Sequence, residues 1–165
     1  MSEPREIRFF VPGVPAPGGS KRGFIAPRTG RVIVKEDCAR SKDWRAVVAL
    51  CAMEHCREQF AGPVIVEVIF YVPRPKGHYR TAENRLFDLK KSAPLYPTTK
   101  PDCTKLWRST EDALKGLCWA DDSQVVDQRV RKLYSLYNSR PGADIVVRAV
   151  AESVDAVAAA IGVTL

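Results

Sequence analysis

Alternation of apolar and polar positions is clearest over Val64–Val72. Val64, Val66, Val68 and Phe70 fall on one side of an extended chain, and Ile65, Glu67, Ile69 and Tyr71 on the other. A period of two predicts a strand with one face in a core. Shorter β-prone runs lie at 7–11, ended by Pro12, and at 31–34, after the turn Arg28-Thr29-Gly30. The Pro- and Gly-rich stretch 12–20 between them reads as a loop. Ser41 reads as the N-cap of a helix over 42–59, with Trp44, Val47, Val48, Leu50 and Cys51 near helical spacing and Gly62-Pro63 as its stop. A second helix is predicted over 104–117. Leu106, Ala113, Leu114 and Leu117 form its buried stripe, and Gly116 suits its end. Strands over 124–133 and 144–150, joined by a turn at 138–142, precede an alanine-rich amphipathic helix over 152–161.

The predicted order is β, β, α, β, α, β, β, α. It implies an α/β (α+β) fold, a small mixed sheet covered by helices, with connections that do not simply repeat βαβ. The 165 residues, with 45% hydrophobic content, suit a single domain over 1–165. Residues 73–99 hold four prolines and many basic residues with weak periodicity, and read as a mobile basic loop. Residues 151–165 read as a C-terminal helix and tail.

Charge adds a partner to this picture. The formal net charge is +7, with a pI of about 9.3. Basic residues crowd the N-terminal part and the 74–108 region. Such an excess favours a polyanion through counterion release. The five cysteines are odd in number and contain no C-x-x-C, which argues against a disulfide framework or a zinc site and for a reducing compartment. The 7–11 run is too short for a signal segment and the apolar 154–165 run too short for a membrane span. The expected location is the cytoplasm of a bacterial or phage-infected cell, with no membrane partner.

Within this basic chain Asp102, Asp112, Asp121 and Asp122 lie around the second helix. Carboxylates inside a positive surface are what a metal-dependent nuclease needs, since one holds the cation and the other the phosphate backbone. The same residues also serve as solvated caps and turns, and an Asp at a helix start complements the macrodipole. A helix of this length spans about 20 Å, so its two ends share an ion only if the chain doubles back or a neighbouring strand intervenes.

The segment Lys100-Pro101-Asp102, Leu106, Asp112-Ala113-Leu114, Gly116, Trp119, Asp121-Asp122-Ser123-Gln124-Val125-Val126 resembles the signature of the RusA family of Holliday-junction resolvases. The stretch from Val11 to Arg22 resembles the opening segment of its phage-type members. The resemblance implies a small homodimeric α/β enzyme that nicks four-way (branched) DNA junctions symmetrically in recombination and repair. It implies Mg2+ as cofactor, with Mn2+ as a substitute, and no small-molecule cofactor beyond the metal.

By the same resemblance Asp102 and Asp122 are catalytic metal ligands, with Asp121 beside them. The family's second aspartate falls on Thr104, its asparagine on Lys105 and its lysine on Arg108. Thr104 supplies one neutral oxygen at most. Thr104 and Asp112 are the substitute ligands within the motif, and Glu111 is a further carboxylate nearby. In the implied reaction a metal-activated water attacks in line and leaves a 5′-phosphate and a 3′-hydroxyl. Arg108 stabilises the charge growing on phosphorus. Lys21, Arg22, Arg74, Lys76, Lys100 and Lys105 grip DNA. Trp119 is expected to pack; Phe24 and Tyr79 read first as ordinary part-buried side chains, with stacking at an opened junction centre as the alternative. The alternative is a junction-binding protein weakened or inactivated because Thr104 replaces an aspartate.

Overall fold

The computed structural model describes residues 5–18, 21–36, 40–81, 88–136 and 139–150. The predicted helix over 152–161 and the tail lie outside the described residues. The strands are β1 (Glu6–Pro12), β2 (Lys21–Ile25), β3 (Val32–Glu36), β4 (Val64–Val72), β5 (Val125–Tyr134) and β6 (Gly142–Ala149). The helices are α1 (Arg40–His55) and α2 (Cys103–Leu114).

Four strands make one mixed sheet in the order β1-β6-β4-β5. β6 runs antiparallel to both β1 and β4, whereas β4 and β5 are parallel. A parallel pair needs a crossover, and α2 lies within it. The alternation in β4 is realised as predicted. Val64, Val66, Val68 and Phe70 are buried with Phe9 and Val11 of β1, Ile145 and Val147 of β6, and the inner faces of α1 and α2. Each such side chain contributes roughly 1.5–3 kcal/mol when removed from water. The other face carries an ionic row across four strands: Glu6 meets Arg148, Arg148 meets Glu67 at 2.7 Å, and Arg129 lies 3.9 Å from Glu67 and 3.5 Å from Asp127.

Small polar residues seat the helices on each other. The Ser41 and Ser109 hydroxyls are 3.2 Å apart, and Trp44 Nε1 donates to Thr110 Oγ1 at 3.1 Å. The N-terminal loop closes on the same place, because Gly18 N–H donates to the Lys105 carbonyl at 2.9 Å. A Cβ on Gly18 would lie 3.0 Å from Ser109 Cβ, so a larger residue there would push the loop and α2 a few tenths of an ångström apart.

Several boundaries differ from the sequence reading. Helix α2 ends at Leu114 and not at Leu117, because the chain reverses at Gly116. Helix α1 begins at Arg40, which places Ser41 inside its first turn and buried. It ends at His55, because Phe60 leaves it to pair with the region of Cys118 and Trp119. Lys21–Ile25 is a strand that pairs with β3 as a separate hairpin, although its Lys-Arg-Gly-Phe-Ile sequence has no alternation. The basic stretch after β4 is fastened at several points. Arg80 N–H donates to the Asp88 carbonyl and Lys90 N–H to the His78 carbonyl, both at 2.9 Å. No helix among the described residues is long and apolar enough to cross a membrane.

Candidate active site

Asp102 caps the start of α2. Its backbone is extended (φ −75°, ψ 149°) and its carbonyl accepts Leu106 N–H at 3.1 Å, but its side chain makes no capping bond. The exposed carboxylate is therefore not committed to the helix. The segment ahead of it is held from β5: Lys132 Nζ donates to the Thr99 carbonyl at 2.7 Å and the Pro101 carbonyl at 2.8 Å. A cleft of about 410 Å³ opens here, lined in part by Arg40, Lys100, Pro101, Lys132 and Tyr134. Most of the lining is proline and other apolar side chains; Arg40, Lys100 and Lys132 are its cations, the kind of side chain that contacts a phosphate backbone.

The other end of α2 is built by a chain reversal. Gly116 has φ 80°, a left-handed conformation that favours glycine after a helix. Its N–H donates to the Trp119 carbonyl at 2.7 Å, which folds residues 117–122 back over Lys115. Trp119 is fully buried, and its Nε1 donates to Asp122 Oδ1 at 3.2 Å. Lys115 Nζ then lies 3.1 Å from both Asp121 Oδ2 and Asp122 Oδ2.

The Asp-Asp-Ser-Gln run divides its labour. Asp121 caps a short 3-10 turn by accepting Ser123 N–H at 3.0 Å. Gln124 Oε1 accepts from the Ala120 and Asp121 amides, while its Nε2 donates to the Phe60 and Gly62 carbonyls. Asp122 is left half-buried, with its carboxylate facing Lys115. The bonds from Ser123, and then Lys115, hold the Asp121 carboxyl down to about 2. The two aspartates push the Lys115 ammonium up, Asp122 most. Burial, followed by the charges of Asp122 and Asp112, pushes the Glu111 carboxyl up, against the opposing pull of Arg108 and a bond from Trp107.

These contacts bring Asp121 and Asp122 together on Lys115 just beyond the C-terminal end of α2, with Glu111 in the field of Asp122. Asp102 stands at the other end of a 12-residue helix, which by its rise spans about 18 Å. Thr104, Lys105, Arg108, Asp112 and Lys115 are exposed along α2 between them. Asp112 is engaged sideways, 3.5 Å from Arg45 of α1. Arg74 stacks over Tyr134 at 4.1 Å and donates to the Pro94 carbonyl at 2.9 Å. Lys76 and Lys100 are exposed. Lys21 and Arg22 sit on β2, opposite Glu36 and Lys35. Arg40, Lys115 and Lys132 were not singled out by sequence. The only signal for Lys132 was a lysine in a strand pattern, and for Lys115 its place one residue before Gly116.

Carboxylate oxygens are the donors a hard divalent ion takes, and an ammonium already sits between two of them. The chemistry at this end of α2 therefore fits such an ion. The number of donors is short in a single chain: among the described residues, no three His, Cys, Asp or Glu side chains are grouped to hold a metal.

A basic α+β scaffold with paired aspartates just after its second helix is thus what these features define. Residues 12–148 match the family described as Endodeoxyribonuclease RusA, and the chain belongs to that family. It is also 38% identical over 145 residues to the "Uncharacterized protein YqaN" of Bacillus subtilis (strain 168), a match covering 87% of this chain and 96% of that protein.

Proposed function

We propose that the chain is a divalent-metal-dependent endonuclease that resolves four-way DNA junctions by paired nicks, acting as a homodimer in the cytoplasm of a bacterial or phage-infected cell. The observation that carries this reading is the family match, which spans Asp102, Asp121 and Asp122. Separation of Asp102 from Asp122 by the length of α2 favours a site completed between subunits. Each site would take Asp102 from one subunit and Asp122, with Asp121, from the other. A two-fold dimer then carries two matched sites, as the two-fold symmetry of a junction requires.

Asp102, Asp121 and Asp122 would hold Mg2+ or Mn2+. When bound, the ion supplies a polarised phosphate oxygen and a water acidic enough to act at neutral pH. The remaining work falls to the chain. Trp119 fixes the angle of the Asp122 carboxylate through its indole N–H. Arg108, exposed between the two ends of α2, would neutralise charge growing on phosphorus. Lys132 holds the segment before Asp102, and Arg40, Lys100 and Lys132 line the cleft that would receive the DNA strand. Lys76, Lys105, Lys21 and Arg22 would extend the grip, whereas Arg74 contributes by fastening its loop to Tyr134.

The alternative, junction binding without cleavage, is favoured by one observation: Thr104 occupies the position of an expected carboxylate on an exposed turn of α2. A synthetic four-way junction incubated with Mg2+ or Mn2+, beside an Asp122→Asn control, separates the two. Symmetric nicks that vanish in the control support the enzyme. Tight binding with no nick under either metal supports the binder, and restoration of nicking by Thr104→Asp would identify the missing ligand.

A further inference from the structure

Lys115 has no part in the resemblance above, yet its ammonium sits on the carboxylate pair that follows α2. It bridges Asp121 and Asp122 at 3.1 Å each. We propose that Lys115 is an internal counterion of the metal site: a positioning residue that holds the Asp121–Asp122 pair together before metal arrives and is displaced when the divalent ion enters. This inference rests on the reading of Asp122 as a metal ligand.

Four observations carry it. The chain reversal at Gly116 brings the aspartates back onto the last turn of α2, so the bridge is a product of the local fold. Asp122 has its other oxygen bonded to Trp119, which leaves Oδ2 as the oxygen for which lysine and metal compete. Lys115, Asp121 and Asp122 keep 42%, 62% and 39% of their side chains exposed, so a hydrated ion can reach them and the lysine can swing out. Glu111 adds a third carboxylate in the same field. Without a cation these carboxylates repel one another; with Lys115 in place they are held close but at the expense of affinity for an incoming ion. Exposed ion pairs are individually weak, so the competition is a modest one that a divalent ion wins.

The test is Mn2+ binding to the full-length protein, read from the loss of the free-ion paramagnetic resonance signal and therefore independent of cleavage. Lys115→Gln and Lys115→Met, two neutral variants, are expected to bind Mn2+ roughly tenfold more tightly than the unsubstituted protein. Lys115→Arg, which keeps the charge, is expected to stay within about threefold of it. Asp122→Asn is expected to abolish binding in either background. Neutral variants that bind no more tightly, while Asp122→Asn still abolishes binding, would overturn the role of Lys115 and leave the metal site standing. Absence of Mn2+ binding in every protein would overturn both.

Discussion

Trp119 Nε1 donates to Asp122 Oδ1 at 3.2 Å from a ring that is itself fully buried. A core side chain thereby sets the direction of a half-buried carboxylate at the surface. Trp119→Phe keeps an aromatic in the core but removes the donor and leaves a void. The expected cost is about 1–3 kcal/mol in urea unfolding, together with weaker divalent-ion binding. A variant with unchanged ion affinity would show that the indole only packs.

Gly116 supplies the reversal on which the site depends. A Cβ there meets nothing within 4 Å, so steric crowding is absent and only the backbone conformation matters. Gly116→Ala is expected to lose about 1–2 kcal/mol, and Gly116→Asn less, since asparagine tolerates the left-handed region better. Equal stability of all three proteins in denaturant titrations would contradict the assignment.

The low Asp121 carboxyl gives a signed prediction in pH. Its folded value of about 2 lies below the ordinary aspartate value near 4, so its ionised form stabilises the fold. That contribution is fully present above about pH 4 and is lost as pH falls towards 2. Asp121→Asn should melt below the unsubstituted protein at pH 6, and the two melting curves should converge between pH 4 and pH 2. A constant difference across that window would assign the stabilisation to another group.

Lys132 is the tie between β5 and the segment leading to Asp102. Lys132→Met removes two charge-assisted bonds and should cost about 1.5–3 kcal/mol. It should also speed amide exchange selectively over 99–106. Uniform acceleration across the sheet would indicate a global effect instead.

Much of this architecture was legible before the structure. The alternation of β4 is preserved because a strand flanked on both sides by β5 and β6 has one face that must meet the helices. Most of the α2 stripe was legible for the same reason, with Leu106, Ala113 and Leu114 buried as expected, whereas Leu117 lies beyond the helix end and is only part-buried. Pattern failed where a neighbour decides the conformation. Lys21–Ile25 is a strand because β3 pairs with it, and 56–59 leave the helix because Phe60 finds Cys118. Ser41, read as a cap, is instead buried against Ser109, a contact across 68 residues of sequence. At the site, the aspartates stood out in the sequence, but Lys115 did not, since a lysine near a helix end is ordinarily a solvated charge. Trp119 was expected to pack, which it does; its bond to Asp122 depends on a chain reversal that periodicity does not encode.

The central claim is that Asp102 and Asp122 meet only between subunits. It is tested most directly by co-expressing an Asp102→Asn chain and an Asp122→Asn chain with different tags, isolating the mixed dimer, and measuring nicks on a synthetic four-way junction. In the mixed dimer, one shared site is doubly substituted and the other is intact. The prediction is that either homodimer is inert and the mixed dimer nicks one strand per junction, at about half the unsubstituted rate. A mixed dimer as inert as both homodimers, beside an active unsubstituted dimer, would mean that each subunit needs both of its own aspartates, and would contradict the shared site.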